Sequence, residues 1–216
     1  MFETLISKLQ EDKYLTLETT PQHEPSMHNI VEKIKKFKID SKVDGFTCTD
    51  NPLAKLKYNS LFAALKLQQE FKKPVIATMT MRDRNKIALQ SDLLGANDFD
   101  IRAILALTGD PANMSDQPNS KGVFEANSLM LLKMIKSFNY GMDFAGRPFK
   151  IEPKQIFPFA VVNAYAKNFG SLEKKMHLKI QNCDVGVITQ HVFDIENVKK
   201  FLENFIDSQI ILKFSK

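Results

Sequence analysis

Apolar positions along the chain switch between two periods. Short runs rich in β-branched and aromatic residues fall at 14–20, 45–49, 75–81, 103–108, 156–162, 185–189 and 209–214. Between them, apolar residues recur every three or four positions at 30–37, 60–71, 85–96, 126–139, 172–181 and 195–205, the spacing that turns one face of a helix toward a core. A further amphipathic helix, with Glu3, Lys8, Glu11 and Asp12 as its charged positions, is predicted ahead of the first strand at 1–12. The pattern renews itself roughly every thirty residues, the length of a strand and its crossover helix. Such alternation predicts parallel strands, because each helix returns the chain to the same end of the sheet.

Seven strands do not close an eight-stranded barrel, and a doubly wound open sheet can stop at that number, so the pattern alone leaves both architectures open. Two stretches interrupt it. Residues 110–122, rich in Pro, Asn, Ser and Asp, form a long loop after the fourth strand, and 140–154 is irregular. Long loops at strand ends usually carry function in such folds.

Composition narrows the classes. An apolar fraction of 44% and a charged fraction of 25% over 216 residues fit one globular domain spanning 1–216. The formal charge of +5 is modest, and lysine pairs such as Lys35 and Lys36, Lys72 and Lys73, or Lys174 and Lys175 are scattered instead of forming a stripe. No nucleic-acid partner is therefore expected, although the sign suits anionic small molecules. Cys48 and Cys183 form no paired motif and sit beside apolar strands, as reduced thiols of a cytoplasmic protein do. No signal-peptide pattern and no apolar run of membrane-spanning length is present, so no membrane association is expected. His23, His28, His177 and His191 lack metal-ligand spacing, and neither a Gly-rich phosphate loop nor a nucleophile elbow occurs. No metal is expected.

The polar residues of interest fall at the C-terminal ends of the predicted strands: Glu18, Thr49, Asp50, Thr80, Arg82, Asp83, Thr108, Asp110, Asn163 and Gln190. In a parallel α/β fold those ends converge, which is where catalysis is built. For any one of them alone, a cap or a turn is an equal alternative. Glu18 lies in the β-forming run Leu15-Thr16-Leu17-Glu18, and burial there would favour the protonated, proton-donating carboxyl. Gly109 before Asp110 lets backbone approach a planar ligand while the carboxylate meets its polar edge. The charges of Arg82, Asp83 and Arg84 are expected to pair and fix their own loop.

Five segments, in this order, carry a resemblance: Asp50-Asn51-Pro52-Leu53-Ala54, Thr80-Met81-Arg82-Asp83-Arg84-Asn85, Leu89-Gln90-Ser91-Asp92-Leu93-Leu94-Gly95-Ala96, Ile104-Leu105-Ala106-Leu107-Thr108-Gly109-Asp110-Pro111 and Ile188-Thr189-Gln190. The chain resembles the methylenetetrahydrofolate reductase family, especially the form fused to a homocysteine methyltransferase module in some bacteria. The resemblance implies a (β/α)8 TIM-type barrel, here lacking its C-terminal βα units, with FAD at the C-terminal mouth. It also implies the chemistry: NADH or NADPH reduces the flavin and leaves, and 5,10-methylenetetrahydrofolate then takes its place and is reduced to 5-methyltetrahydrofolate. Glu18 matches the general acid, Asp110 the acid near flavin and pterin, and Gln190 a residue contacting folate or nicotinamide. Thr49, Asp50, Pro52, Thr108, Gly109, Asp110, Ala166 and Lys179 fall where the family touches FAD.

Departures accompany the match. Thr78 stands where the family has a histidine against FAD, Val162 where an aromatic residue is expected, and Thr19-Thr20-Pro21-Gln22 makes the mouth more polar. A second reading therefore stands beside the reductase: a divergent relative serving as a folate- or flavin-binding, or protein-interaction, module. An incomplete barrel leaves apolar surface exposed, so a homo-oligomer is expected.

Overall fold

A computed structural model describes residues 1–11, 14–163, 169–183, 185–191 and 193–196, together with 199, 203, 210 and 211. Helix α1 (Phe2–Glu11) leads into β1 (Thr16–Thr19), α2 (His28–Lys36), β2 (Gly45–Cys48), α3 (Ser60–Phe71), β3 (Val75–Thr80) and α4 (Lys86–Asp98). The chain continues through β4 (Ala103–Leu107), α5 (Ser128–Asn139), β5 (Phe157–Val162), α6 (Phe169–Ile180), β6 (Gly186–Thr189) and β7 (Ile210–Ile211). The helix expected at 195–205 and the strand expected at 209–214 lie largely outside the described residues.

Every strand pairs in parallel with its sequence neighbour, in the order β1 to β7. That order settles the architecture left open by the sequence pattern. A doubly wound sheet reverses its strand order and carries helices on both faces. Here α2 to α6 share one face, where Val31, Leu61, Leu93, Leu131 and Met176 join Phe46, Cys48, Ala77, Met79, Ile104, Ala160 and Val187 in one core. The result is a curled parallel sheet of βα units, part of a TIM-type barrel. No eighth strand is present among the described residues, in keeping with a barrel that lacks its C-terminal βα units.

The opposite face supplies the second core. Because side chains alternate along a strand, Ile76, Ala103, Phe157, Phe159 and Ile188 point away from the helices, and they pack against Phe2 and Leu5 of α1. One helix reaches β3, β4, β5 and β6 together, so the sheet is concave on this side. Ala103 and Phe157 open their strands, which puts α1 across the N-terminal end of the inner face. Phe2 stacks on Phe157 with ring centres 6.1 Å apart, and the Arg102 guanidinium lies over the Phe2 ring at 4.9 Å. The C-terminal strand ends are left for chemistry.

Three helices begin at that end on the same device. Asn59 accepts hydrogen bonds from Leu61 N (2.9 Å) and Phe62 N (3.2 Å), Asn85 from Ala88 N (2.9 Å) and Asn127 from Leu129 N (3.0 Å). Each satisfies amide groups that a first helical turn otherwise leaves open.

Candidate active site

The loop after β3 is built around two arginines. Asp50, almost fully buried after β2, accepts through Oδ2 from Thr80 N (2.9 Å), the Thr80 hydroxyl (2.9 Å) and Arg84 Nη1 (2.6 Å). Arg84 reaches onward from Nε to Asp92 Oδ2 at 2.8 Å. Burial works against the charge of Arg84, but Asp50 and then Asp92 outweigh it and hold its pKa above the ordinary arginine value. Arg82 grips Asp83 through two nitrogens, Nε at 2.8 Å and Nη2 at 2.6 Å, and Nη2 also donates to Asn51 O at 3.0 Å. The bond from Asp83, opposed by burial, raises the Arg82 pKa. The expected ion pairs therefore form, with the addition that Asp50 ties β2 to β3.

The loop after β4 closes onto the loop after β2. Asp110 Oδ2 accepts from Leu53 N at 2.6 Å, and Asp116 Oδ1 from Leu56 N at 3.1 Å. Gly109 has φ +96°, and a Cβ there would meet the Arg82 Cβ at 3.0 Å and the Thr80 Cβ at 3.2 Å. Its freedom lets this turn pack closely on the end of β3. Thr108 is exposed, and its hydroxyl accepts from Ser128 N at 3.1 Å, at the start of α5.

The remaining sequence candidates divide by position. Glu18 is exposed on β1, where its apolar neighbours had suggested burial. The neighbouring Leu17 packs on the helix-side core, which leaves Glu18 on the inner side in register with Thr47. Thr49 bonds the end of β1 from N to Thr19 O (3.1 Å) and the residue after it from its hydroxyl to Thr20 Oγ1 (3.3 Å). Pro52 opens a short 3-10 turn, Pro52–Ala54. Thr78 is buried, and its carbonyl accepts from Ser60 Oγ at 2.8 Å. Gln190 is exposed just past β6, its N–H on Val162 O at 3.0 Å. Lys179 on α6 donates from Nζ to Val161 O, and burial, then Lys175, lowers its pKa. Val162 packs among the helix-side core residues, so the site expected to stack on a flavin points away from the inner face. Ala166 lies outside the described residues.

What sequence reasoning missed is the burial of Arg82 and the clamp from Asp110 and Asp116. Arg82 is 2% exposed, and its Nη1 has no hydrogen-bond partner; the Thr47 hydroxyl on the inner face is likewise buried and unpartnered. The orphaned Arg82 nitrogen, just past the C-terminal end of β3, suits a ligand rich in acceptor oxygens, as a flavin or a pterin is, whereas Thr47 lies deeper, in register with Ile76. Among the described residues no cluster of His, Cys, Asp and Glu is arranged to hold a metal, and no helix is long and apolar enough to cross a membrane.

A concave sheet of parallel βα units, with its polar and ionic groups gathered at the C-terminal strand ends, defines a protein of the TIM-barrel class. The family model for methylenetetrahydrofolate reductase matches residues 3–213, and the chain belongs to that family. No curated protein matches the sequence. Among solved structures, one similar fold is an uncharacterized protein from Clostridium thermocellum that binds two copies of 5-methyl-5,6,7,8-tetrahydrofolic acid. Its identity is 15% and its TM-score 0.61, over 96% of this chain and 68% of that one. Another is 2,3-dimethylmalate lyase, of the PEP mutase/isocitrate lyase superfamily, at 10% identity and a TM-score of 0.59, over 96% and 68% of the two chains.

Proposed function

We propose that the chain binds a reduced folate at the C-terminal mouth and reduces 5,10-methylenetetrahydrofolate to 5-methyltetrahydrofolate with electrons from NADH or NADPH. The observation that carries this reading is the family match across residues 3–213, which includes Glu18, Asp110 and Gln190 at strand ends of one parallel sheet. FAD, held by Thr49, Thr108, Gly109 and Asp110, supplies the hydride when bound. Asp50, Thr78 and Lys179, which fall at family FAD positions by resemblance, are instead engaged with Thr80 and Arg84, with Ser60, and with Val161.

The residues' own part is proton delivery and orientation. Glu18 gives its proton to a nitrogen of the folate's five-membered ring, the ring C–N bond breaks, and the resulting iminium carbon becomes the hydride acceptor. Exposure of Glu18 makes its re-protonation from solvent direct. Asp110 orients the pterin by accepting from its ring N–H groups, and Gln190 offers both a donor and an acceptor to folate or nicotinamide.

Flavin titration followed by reduction of the bound flavin with NADH and NADPH tests the reading. Glu18→Gln abolishes folate reduction and leaves flavin reduction nearly intact; loss of both half-reactions together would remove Glu18 from the acid role. A second reading, a folate-binding member without reductase activity, draws on the Asp110 carboxylate being engaged by Leu53 N. A protein that binds 5-methyltetrahydrofolate yet stays colourless after flavin reconstitution would establish it.

A further inference from the structure

Arg82 is a fully buried guanidinium with an unused end. Its Nε and Nη2 are committed to Asp83 and Asn51, while Nη1 is shielded from solvent and has no acceptor. Buried donors almost always have partners, so an orphaned nitrogen on a charged group calls for a physical reason. Asp50 and Asp110 both lie close enough to act on this charge.

The segment that holds Arg82, through the Asn51 carbonyl on Nη2, is itself strained. Asn51 (φ +43°), Leu53 (φ +56°) and Ala54 (φ +57°) all occupy the left-handed region without being glycine. Such backbone persists where its surroundings over-determine it, and here three carboxylate or amide oxygens do so. Asp110 holds Leu53 N, Asp116 holds Leu56 N, and Asn51 Oδ1 holds Lys57 N at 2.8 Å. Releasing Leu53 would free the Asp110 carboxylate within the same segment whose Asn51 carbonyl holds Arg82 Nη2.

We propose that residues 51–57 form a strap that opens on ligand entry, and that Arg82 is a ligand-binding residue held by it. With the strap open, Nη1 donates to a ring carbonyl and Asp110 accepts from the adjoining ring N–H. An acceptor and a donor side by side are the signature of a lactam or imide edge, so the class of ligand is a planar heterocycle carrying O=C–N–H. The proposal rests on the folate reading above, since a pterin has that edge, and it adds both the second recognition group and the gate.

The test is hydrogen exchange at the Leu53 amide, read beside calorimetric titration with 5-methyltetrahydrofolate on the whole chain. Saturating folate is expected to speed exchange at Leu53 by about tenfold or more while β4 amides stay unchanged. Asp116→Ala, which loosens the strap without touching Arg82 or Asp110, should raise Leu53 exchange without ligand and increase the association rate. Arg82→Lys keeps the charge but loses the planar fork, and should weaken folate binding by about tenfold or more. Folate bound with Leu53 as protected as before, or bound by the lysine variant at full affinity, would overturn the strap and leave the functional reading standing. No heat of binding at all would overturn both. Should the lysine variant fail to fold, exchange in the wild-type and Asp116→Ala chains decides.

Discussion

Replacing Asp50 with alanine takes the acceptor away from four donors at once: Thr80 N, the Thr80 hydroxyl, Arg84 Nη1 and, at 3.4 Å, Arg84 Nη2. The Asp50 side chain is 1% exposed and that of Arg84 11%, so water does not step in freely. Removing one member of a buried pair costs about 3–5 kcal/mol, most of it from the charge left behind. Arg84 retains Asp92, whose side chain is 35% exposed, which places the expected loss at the lower end, about 3 kcal/mol. For a domain of this size that lowers the melting temperature by about 6–12 °C. Urea unfolding of the wild type, Asp50→Ala, Arg84→Met and the double variant measures it. The double variant should cost about 2 kcal/mol less than the sum of the singles, because removing both charges leaves neither unpaired. A loss below about 1 kcal/mol for Asp50→Ala, or additive singles, would refute the claim that this pair fastens β2 to β3.

Further outcomes follow from other parts of the fold. Phe2→Ala strips a fully buried ring from the inner core and should cost about 3–5 kcal/mol in chemical denaturation, although it is far from the strand-end candidates. Asn59→Ala removes the cap of α3 and should cost about 1 kcal/mol, against a few tenths for Asn59→Gly, as thermal melts will show. Burial, only partly opposed by the Thr19 hydroxyl, pushes the Cys48 thiol up to about 12, so thiol reagents should label it at pH 8 only after denaturation. Because its folded value is raised, its stabilising contribution is complete below about 8.5, the unfolded value, and is lost as pH climbs toward about 12. The slope is at most about 1.4 kcal/mol per pH unit, and alkaline denaturant titrations against Cys48→Ala reveal it.

Element type was readable because two periods alternate without ambiguity: Val75–Thr80 falls inside the run at 75–81, and Ser60–Phe71 coincides with its helical stretch. Boundaries slipped where asparagine stands. Asn85 and Asn127 fell inside the expected helices, yet their side chains cap the first turn from outside it. The choice between an open sheet and a barrel needed strand order, a property of pairing that no local pattern contains. At the site, the ion pairs of the loop after β3 were legible because their charges are adjacent in sequence. The exposure of Glu18 was not, since alternation assigns a side of the strand but says nothing of how open that side is. Nor was the clamp on Leu53, whose partner Asp110 lies 57 positions away. The side that Val162 faces was not legible either: a motif position carries no sense of inward or outward until the register is known.

Helix α1 has a bearing on traffic. Phe2 and Leu5 stopper the floor of the concave sheet, at the end opposite the candidate residues. On the reading proposed above, a ten-residue N-terminal helix would thus set the direction of approach, closing one end of the sheet and leaving the other to a bound molecule.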